Sequence, residues 1–457
     1  MNVIKIKNKI ENFESSGKSM KSLILIWILF TSTSPFQFYA MVPHHPYKLL
    51  TFFVVVSMLT LMIRDRRGLF SNNSNNIIYY IILIQSVYSF LAIFIHSFSL
   101  DIFLIENGLV YLNLFIQLIV VLFSFAFICS YGLIHKLAVS MIPVMVIMAG
   151  FSAVIFFLGL IINLQPFSFT ALSDHRDINN YILGFSSSVS EYSFGSVIRS
   201  SGYFDEPGTL AFYIVIAMLL NKMYGYSKIA EYFLIAFGLC TVSLAFYISL
   251  ILYYFIFGII ERRLRVVLWL VVIVLTLSLT IFEFSNKSEL GRVVYELTVH
   301  RIMPPDESEN KLFKGDNRSE NFEYAKQAFF QSPFFGQGML AHSSEKNEFF
   351  GKLCCNPLHP FASDGFVGTL VFFLIYIYWG FYILNKRPFD YISAGSWFII
   401  FVNMLQRPGA TGGTFGYFVF IFLLEASRWR KSQQRLSSSQ VVLGPVSPKK
   451  PTSSLSQ

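Results

Sequence analysis

Charge is what this sequence has least of. Only 13% of its 457 residues are Asp, Glu, Lys or Arg, while 54% are hydrophobic. A water-soluble domain of this size needs far more polar residues to cover its surface, so that class is excluded. The apolar residues come in runs of roughly 15–25, the length that crosses a ~30 Å hydrocarbon core. A β-barrel would instead show alternating segments of ~10 residues. Cysteine is scarce, at four. Cys129 and Cys240 lie in apolar runs, and Cys354 and Cys355 are adjacent in a polar stretch. None has the spacing of a metal site. The adjacent pair reads as two ordinary thiols, with a strained vicinal disulfide as the alternative. Nucleotide and hydrolase motifs are missing too: there is no G-x-x-x-x-G-K-[ST], no G-x-S-x-G, and no G-x-G-x-x-G after a strand. No Asp-x-Asp pair offers a divalent metal to a nucleotide sugar. The histidines (His44, His45, His96, His135, His175, His300, His342 and His359) are scattered, without an H-x-x-x-H or H-x-H pair. No metal and no other cofactor is expected.

What is present is an all-α, polytopic helical membrane protein. Spans are expected at about Ser22–Tyr39, Leu49–Ile63, Ile77–Ile95, Leu109–Cys129, Leu137–Ile162, Thr209–Met223, Tyr232–Val242, Ala245–Ile260, Val266–Phe282, Phe366–Leu384, Ile392–Leu405 and Phe415–Leu424. The stretch from Tyr232 to Ile260 is long for one crossing. Lys222 and Lys228 precede it, and Arg262, Arg263 and Arg265 follow it. Lys and Arg favour the cytoplasmic side of short loops, so both flanks belong on one side. The chain must therefore cross an even number of times, with a tight hairpin turning near Thr241–Leu244. About twelve spans with both termini cytoplasmic satisfy the rule. Of the outward basic residues, only Lys48 and Arg407 then lie in short loops. The net charge of +9 is thus topological, and no nucleic-acid partner is expected. Lys5, Lys7, Lys9, Lys18 and Lys21 precede the first apolar run without a small-residue cleavage site after it, which reads as a retained signal-anchor.

The organisation follows. Residues 1–21 form a cytoplasmic segment, 22–162 five spans, 163–208 an outer loop, and 209–282 four spans including the hairpin. Residues 283–365 form a large outer loop, 366–427 three spans, and 428–457 a Ser/Gln/Pro-rich disordered tail. Long loops are usually functional or disordered. These two contain Tyr, Phe, Gly, Pro and balanced charge, so they are expected to be ordered over the membrane surface.

Three clusters carry candidate chemistry. In "VIRSSGYFDEPGTLAFYIVIAMLL", Val197 to Leu220, Arg199 stands just before a span that Pro207 and Gly208 open. Proline is suited to a helix start. A helix N-terminus beside a guanidinium is a plausible diphosphate site. The plain alternative is an interfacial arginine paired with Asp205 or Glu206. In "DNRSENFEYAKQAFFQSPFFGQGMLAH", Asp316 to His342, the middle reads as an amphipathic helix. Phe322, Ala325, Phe329 and Phe330 share a face, Arg318 sits near the start, and Gly336 and Gly338 make a tight turn. The plain alternative is a helix resting on the membrane with Arg318 in solvent. In "NPLHPFASDGFVGTLVFF", Asn356 to Phe373, His359 precedes a span, and histidine as a residue type is suited to take a proton from a hydroxyl. An inert interfacial histidine is the alternative. Asp364 either orients it or caps the helix at Gly365.

In order and placement these segments resemble the O-antigen polymerase and O-antigen ligase superfamily of Wzy-type membrane glycosyltransferases. The shared order is an R-x-x-G-x-F-x-E-P-G-like opening of a mid-chain span and a tight hairpin. A large outer loop follows, with an arginine, a helix and a P-x-x-G-x-G turn, and then a histidine before a glycine-punctuated span. The likeness covers roughly Val197 to Leu384. It implies a GT-C-like fold working outside the bacterial inner membrane without metal, in O-antigen or capsule synthesis. The donor would be a glycan on undecaprenyl diphosphate, and the acceptor the non-reducing end of another lipid-linked repeat unit. Arg199 and Arg318 would hold the diphosphate and His359 would activate the acceptor hydroxyl. Glu206 and Arg407 would be further substrate contacts. Membrane lipid is an expected partner and a chain-length regulator protein a candidate one. Where ligases commonly follow the loop histidine with asparagine, this chain has Pro360, and "FDEPG" is more polymerase-like. A ligase that moves glycan to lipid A core or protein stays open, as does a flippase for lipid-linked saccharides. Nearly charge-free mid-span regions speak against the flippase. A non-catalytic envelope scaffold is the last alternative.

Overall fold

The computed structural model describes residues 18–32, 44–67, 76–97, 102–162, 166, 168–171, 177–181, 186–192, 195–204, 206–263, 265, 268, 272, 318–339, 353, 356–385, 387–406 and 417–442. They form an all-α bundle with one small sheet at one end. The helices are α1 (Lys18–Ser32), α2 (His44–Arg64), α3 (Asn76–Ser97), α4 (Ile102–Tyr131), α5 (Ile134–Ile162), α6 (Pro207–Tyr224), α7 (Lys228–Leu239), α8 (Leu244–Ile260), α9 (Arg318–Gln331), α10 (His359–Phe372), α11 (Leu374–Asn385), α12 (Tyr391–Gln406) and α13 (Tyr417–Val442). Among the described residues, five helical stretches are long and apolar enough to cross a membrane: Asn76–Ser97, Ile105–Tyr131, Ile134–Leu158, Pro207–Tyr224 and His359–Asn385. Shorter apolar helices cover Met20–Leu29, Leu50–Arg64, Leu244–Ile260 and Tyr391–Leu405. The expected span at Val266–Phe282 falls almost wholly outside the described residues.

Helix α6 is the axis of the bundle. Its sequence is apolar on every side, which marks a helix enclosed by others, and α5, α7, α8, α12 and α13 all pack on it. Pro207 occupies its first turn, where a missing N–H costs nothing. Gly225 ends it in the left-handed conformation with its N–H on the Asn221 carbonyl. The Asn221 side chain then ties the turn to α7, donating to Ser227 O and accepting from Ser227 N, both at 3.0 Å.

Between α5 and α6 lies an antiparallel meander in the order β1 (Ser168–Ala171), β2 (Asp177–Asn180), β3 (Ser186–Tyr192), β4 (Gly195–Gly202). Strand β4 packs on α5 and α6, and Ser200 N reaches the Cys240 carbonyl in the α7–α8 turn at 3.3 Å.

Contacts between helices fix which ends lie together. Arg430 of α13 holds Asp390, just before α12, with Nε–Oδ2 at 2.8 Å, and donates to Met223 O at the end of α6 at 3.2 Å. Lys222 pairs with Glu261 beyond α8. Lys21 of α1 meets Asp65, which follows α2, at 3.3 Å, and Tyr131 at the end of α4 donates to the same carboxylate at 2.6 Å. The buried Lys431 ammonium caps α11 through the Tyr382 and Ile383 carbonyls, at 3.0 Å each. All of this is one basic, ion-paired end. The starts of α4, α6, α8, α10 and α13 and the ends of α3, α5, α7 and α12 lie at the other.

Candidate functional site

That opposite end carries the start of α10. Leu358 is its N-cap residue, His359 begins it, and Pro360 sits in the first turn. The proline replaces a donor that would have no helical partner there. The preceding turn is fixed by Asn356, which is fully buried. Its side chain donates to Leu353 O at 3.0 Å and accepts from Leu358 N at 2.9 Å. The His359 ring lies with Nδ1 2.6 Å from the Leu353 carbonyl. A carbonyl only accepts, so Nδ1 carries the proton, and the lone pair of the neutral imidazole is on Nε2. The ring is half-buried.

Helix α9 descends beside this turn. Ala325 and Ala328 bury against Leu353 and Ala362, and alanines let the two helices come close. The Asn356 side chain also reaches Asn321 O, at 3.4 Å, in the first turn of α9. The helix that Arg318 opens is therefore joined to the turn that holds His359. The Arg318 side chain lies outside the described residues.

After α9 the chain makes the turn Pro333–Gly338, and this turn fills a break in α10. At Gly365 the backbone leaves the helix, with φ 63° and ψ −170°. A broken helix exposes carbonyls before the break and N–H groups after it. The turn satisfies both sets. Gln337 N donates to Ala362 O at 2.8 Å and Gly338 N to Ser363 O at 2.9 Å. In return Phe366 N donates to Pro333 O at 2.8 Å and Val367 N to Phe334 O at 3.1 Å. The two backbones meet so closely that a Cβ on Gly336 would overlap the Ser363 carbonyl, and one on Gly365 the Phe334 carbonyl.

Asp364, at the break, is fully buried. It neither touches His359 nor caps a helix with its carboxylate; Tyr111 Oη donates to Oδ1 at 2.6 Å. Tyr88 Oη donates to the Asp364 carbonyl at 3.3 Å, and the His96 ring stacks on Tyr111 with centroids 4.9 Å apart. Asp364 thus ties α10 to α3 and α4.

Arg199 lies half-buried on β4, in register with Ser188 of β3. Glu206 is buried at the N-cap of α6 in extended conformation, and its carbonyl accepts from Thr209 N at 3.1 Å. Phe204, between them in the chain, is fully buried and stacks on Tyr213. Arg199 and Glu206 therefore share the end of the bundle that holds His359 and the start of α9. They are carried by the β4–α6 junction, while His359 and Arg318 are carried by the α9–α10 pair. Arg407, Asp205, Cys354 and Cys355 lie outside the described residues. Sequence reading misses Asn356 and Tyr111 as site-building residues. Asp364, an acid inside an apolar run, was the one available signal for the second.

No protein-family model and no curated protein matches this chain.

Proposed function

We propose that this protein is a polysaccharide polymerase. It transfers a glycan from undecaprenyl diphosphate to the non-reducing end of a second lipid-linked repeat unit, in O-antigen or capsule synthesis. On this reading the basic end of the bundle faces the bacterial cytoplasm with both termini, and the end with His359 faces outward from the inner membrane. The chain crosses about twelve times in a GT-C-like arrangement.

One observation carries the reading: His359 is held with Nδ1–H on the Leu353 carbonyl at 2.6 Å, at the end of the bundle that also holds Arg199 and the start of the Arg318 helix. In the reaction the acceptor hydroxyl gives its proton to Nε2 and its oxygen bonds to the anomeric carbon of the donor. The bond from that carbon to the diphosphate oxygen breaks, and undecaprenyl diphosphate leaves with the electron pair. The leaving group is already activated, so the catalyst's main task is to stabilise charge on phosphate oxygens. Guanidinium groups match those oxygens two at a time, the role given to Arg199 and Arg318. Glu206 and Arg407 complete the substrate contacts. Placing these charges at the bundle end rather than mid-span avoids the ~2.5–3.5 kcal/mol cost of a charge at the bilayer centre.

The test is a gel of surface glycan from cells carrying His359→Ala, Arg199→Ala or Arg318→Ala, each checked for membrane-inserted protein. Loss of the long-chain ladder with single-repeat caps retained is the expected result. Normal ladders from all three variants refute a transferase, and complete loss of capped lipid A core assigns the protein to the ligases instead.

A further inference from the structure

The turn at Pro333–Gly338 has a depth as well as a shape. The stretch His359–Asn385 has 27 residues, about 40 Å of helix at 1.5 Å per residue. A hydrocarbon core of ~30 Å leaves roughly 5 Å of that helix beyond each boundary. Phe334 O bonds to Val367 N, and Val367 is eight residues below His359, roughly 12 Å with the break at Gly365 counted at the helical rise. The carbonyl of Phe334 is then roughly 7 Å inside the hydrocarbon. Helix α4 gives a second ruler. Tyr111, bonded to Asp364, lies six residues, about 9 Å, along the equally long apolar stretch Ile105–Tyr131, or about 4 Å inside the hydrocarbon by the same reckoning.

We infer that α9 and the Pro333–Gly338 turn form a re-entrant helix–turn that dips into the bilayer and returns, with Phe334 and Phe335 against lipid acyl chains. Irregular backbone survives at that depth only when its polar groups are satisfied by protein. Here the four hydrogen bonds to the break in α10 satisfy Pro333 O, Phe334 O, Gln337 N and Gly338 N, and Gly336 N donates to Ser332 O at 2.9 Å. The side chains agree. Phe334 is 66% exposed and Phe366, beside it on α10, 55%, and Leu370 of α10 and Phe90 and Phe94 of α3 are exposed apolar residues of the helices this joint ties together. In water such a cluster of phenylalanines would be an uncovered apolar patch. At this depth its occupant is the acyl chains that already bathe α3. The inference concerns how the chain sits in the membrane and holds whether or not the transferase reading stands.

The experiment uses the full-length protein in phospholipid nanodiscs, with Cys129, Cys240, Cys354 and Cys355 replaced by serine. A nitroxide is attached to Phe334→Cys and, separately, Phe335→Cys. Phe90→Cys serves as the lipid reference and Arg263→Cys as the water reference. Power-saturation EPR reads collisions with oxygen, which concentrates in hydrocarbon, and with a water-soluble nickel chelate. The expected result is nickel accessibility several-fold below that at position 263, with an oxygen-to-nickel ratio at 334 or 335 close to that at position 90. Nickel accessibility at both positions equal to that at 263 overturns the re-entrant placement. So does a label shielded from both reagents at both positions, which would mean that protein covers the patch.

Discussion

Replacing Gly365 with alanine tests the joint between the turn and the broken helix. The native φ of 63° with ψ near −170° belongs to a region open essentially to glycine alone, and a side chain there costs about 1–3 kcal/mol in backbone strain. The new Cβ would also meet the Phe334 carbonyl and Phe335 N. The chain can relieve the overlap by undocking the turn. That breaks four backbone hydrogen bonds at a buried site, and each group left unsatisfied costs about 1–3 kcal/mol. Undocking is therefore dearer than strain, and the variant should keep the joint in a strained, displaced form at a cost of about 3 kcal/mol. Denaturant unfolding in detergent should show a lower midpoint for Gly365→Ala. Hydrogen exchange resolved by mass spectrometry should show faster exchange at the amides of Gln337, Gly338, Phe366 and Val367, while the α6 amides keep their protection. Gly336→Ala, with φ 73° and its own overlap with Ser363, should give the same pattern from the other side of the joint. Unchanged midpoint and unchanged exchange at those four amides in both variants would refute the reasoning, because the close approach would then not exist.

The other expectations follow the same contacts. Tyr111→Phe removes the 2.6 Å bond to Asp364 and should lower unfolding stability by about 1–3 kcal/mol. In a double-mutant cycle with Asp364→Asn, additive losses would show that the pair is not coupled. Asp390→Ala leaves the Arg430 guanidinium without its carboxylate and should destabilise by about 3 kcal/mol. An unchanged unfolding midpoint would remove this pair as the clasp between α12, α13 and the end of α6. At Asp65, burial alone raises the carboxyl, but hydrogen bonds from Tyr131, Arg64 and Lys21 more than offset it and hold the group below its ordinary value. A depressed folded pKa gives stability that is present above the unfolded value of 3.8 and lost as pH falls through the lower folded value. Asp65→Asn should therefore melt earlier than the parent at pH 7, with the gap closing below about pH 4. A gap that stays constant to pH 3 would contradict the assignment.

The parts of this fold legible in the sequence are those set by the solvent. Apolar runs become helices because a bilayer leaves the backbone no other partner. The argument from flanking charge puts a turn near Thr241–Leu244, and α7 and α8 meet there, with the Thr241 hydroxyl closing on Gly238 O at 2.7 Å. The sheet was not legible. Strands such as Ser186–Tyr192 and Gly195–Gly202 are short and serine-rich, and what holds them is pairing with each other and packing on α5 and α6, a tertiary effect that overrides weak local preference.

The amphipathic reading of α9 is matched only in part, for a related reason. It takes Phe322, Ala325, Phe329 and Phe330 as one apolar face, with a helix resting on the membrane as the plain alternative. In the structure Ala325 and Ala328 are the buried residues, and Phe330 points outward. A helix that rests on a bilayer turns its bulkiest apolar side chains to lipid and its polar ones to water. A helix that packs on a neighbour spends its smallest residues on the contact and leaves phenylalanine for the acyl chains. The alanines therefore mark the close contact of α9, with the half-buried Phe329 beside them edge-on to Phe361 of α10, centroids 6.0 Å apart. In "SPFFGQG" and "SDGFVG", Gly336 and Gly365 lie where two backbones touch, Gly338 and Gly368 lie against the Asn107 and Tyr88 side chains, and the phenylalanines beside them face out. What looked like two separate loop motifs 30 residues apart is one joint, and the descent of α9 beside α10 is what brings the start of the Arg318 helix to His359.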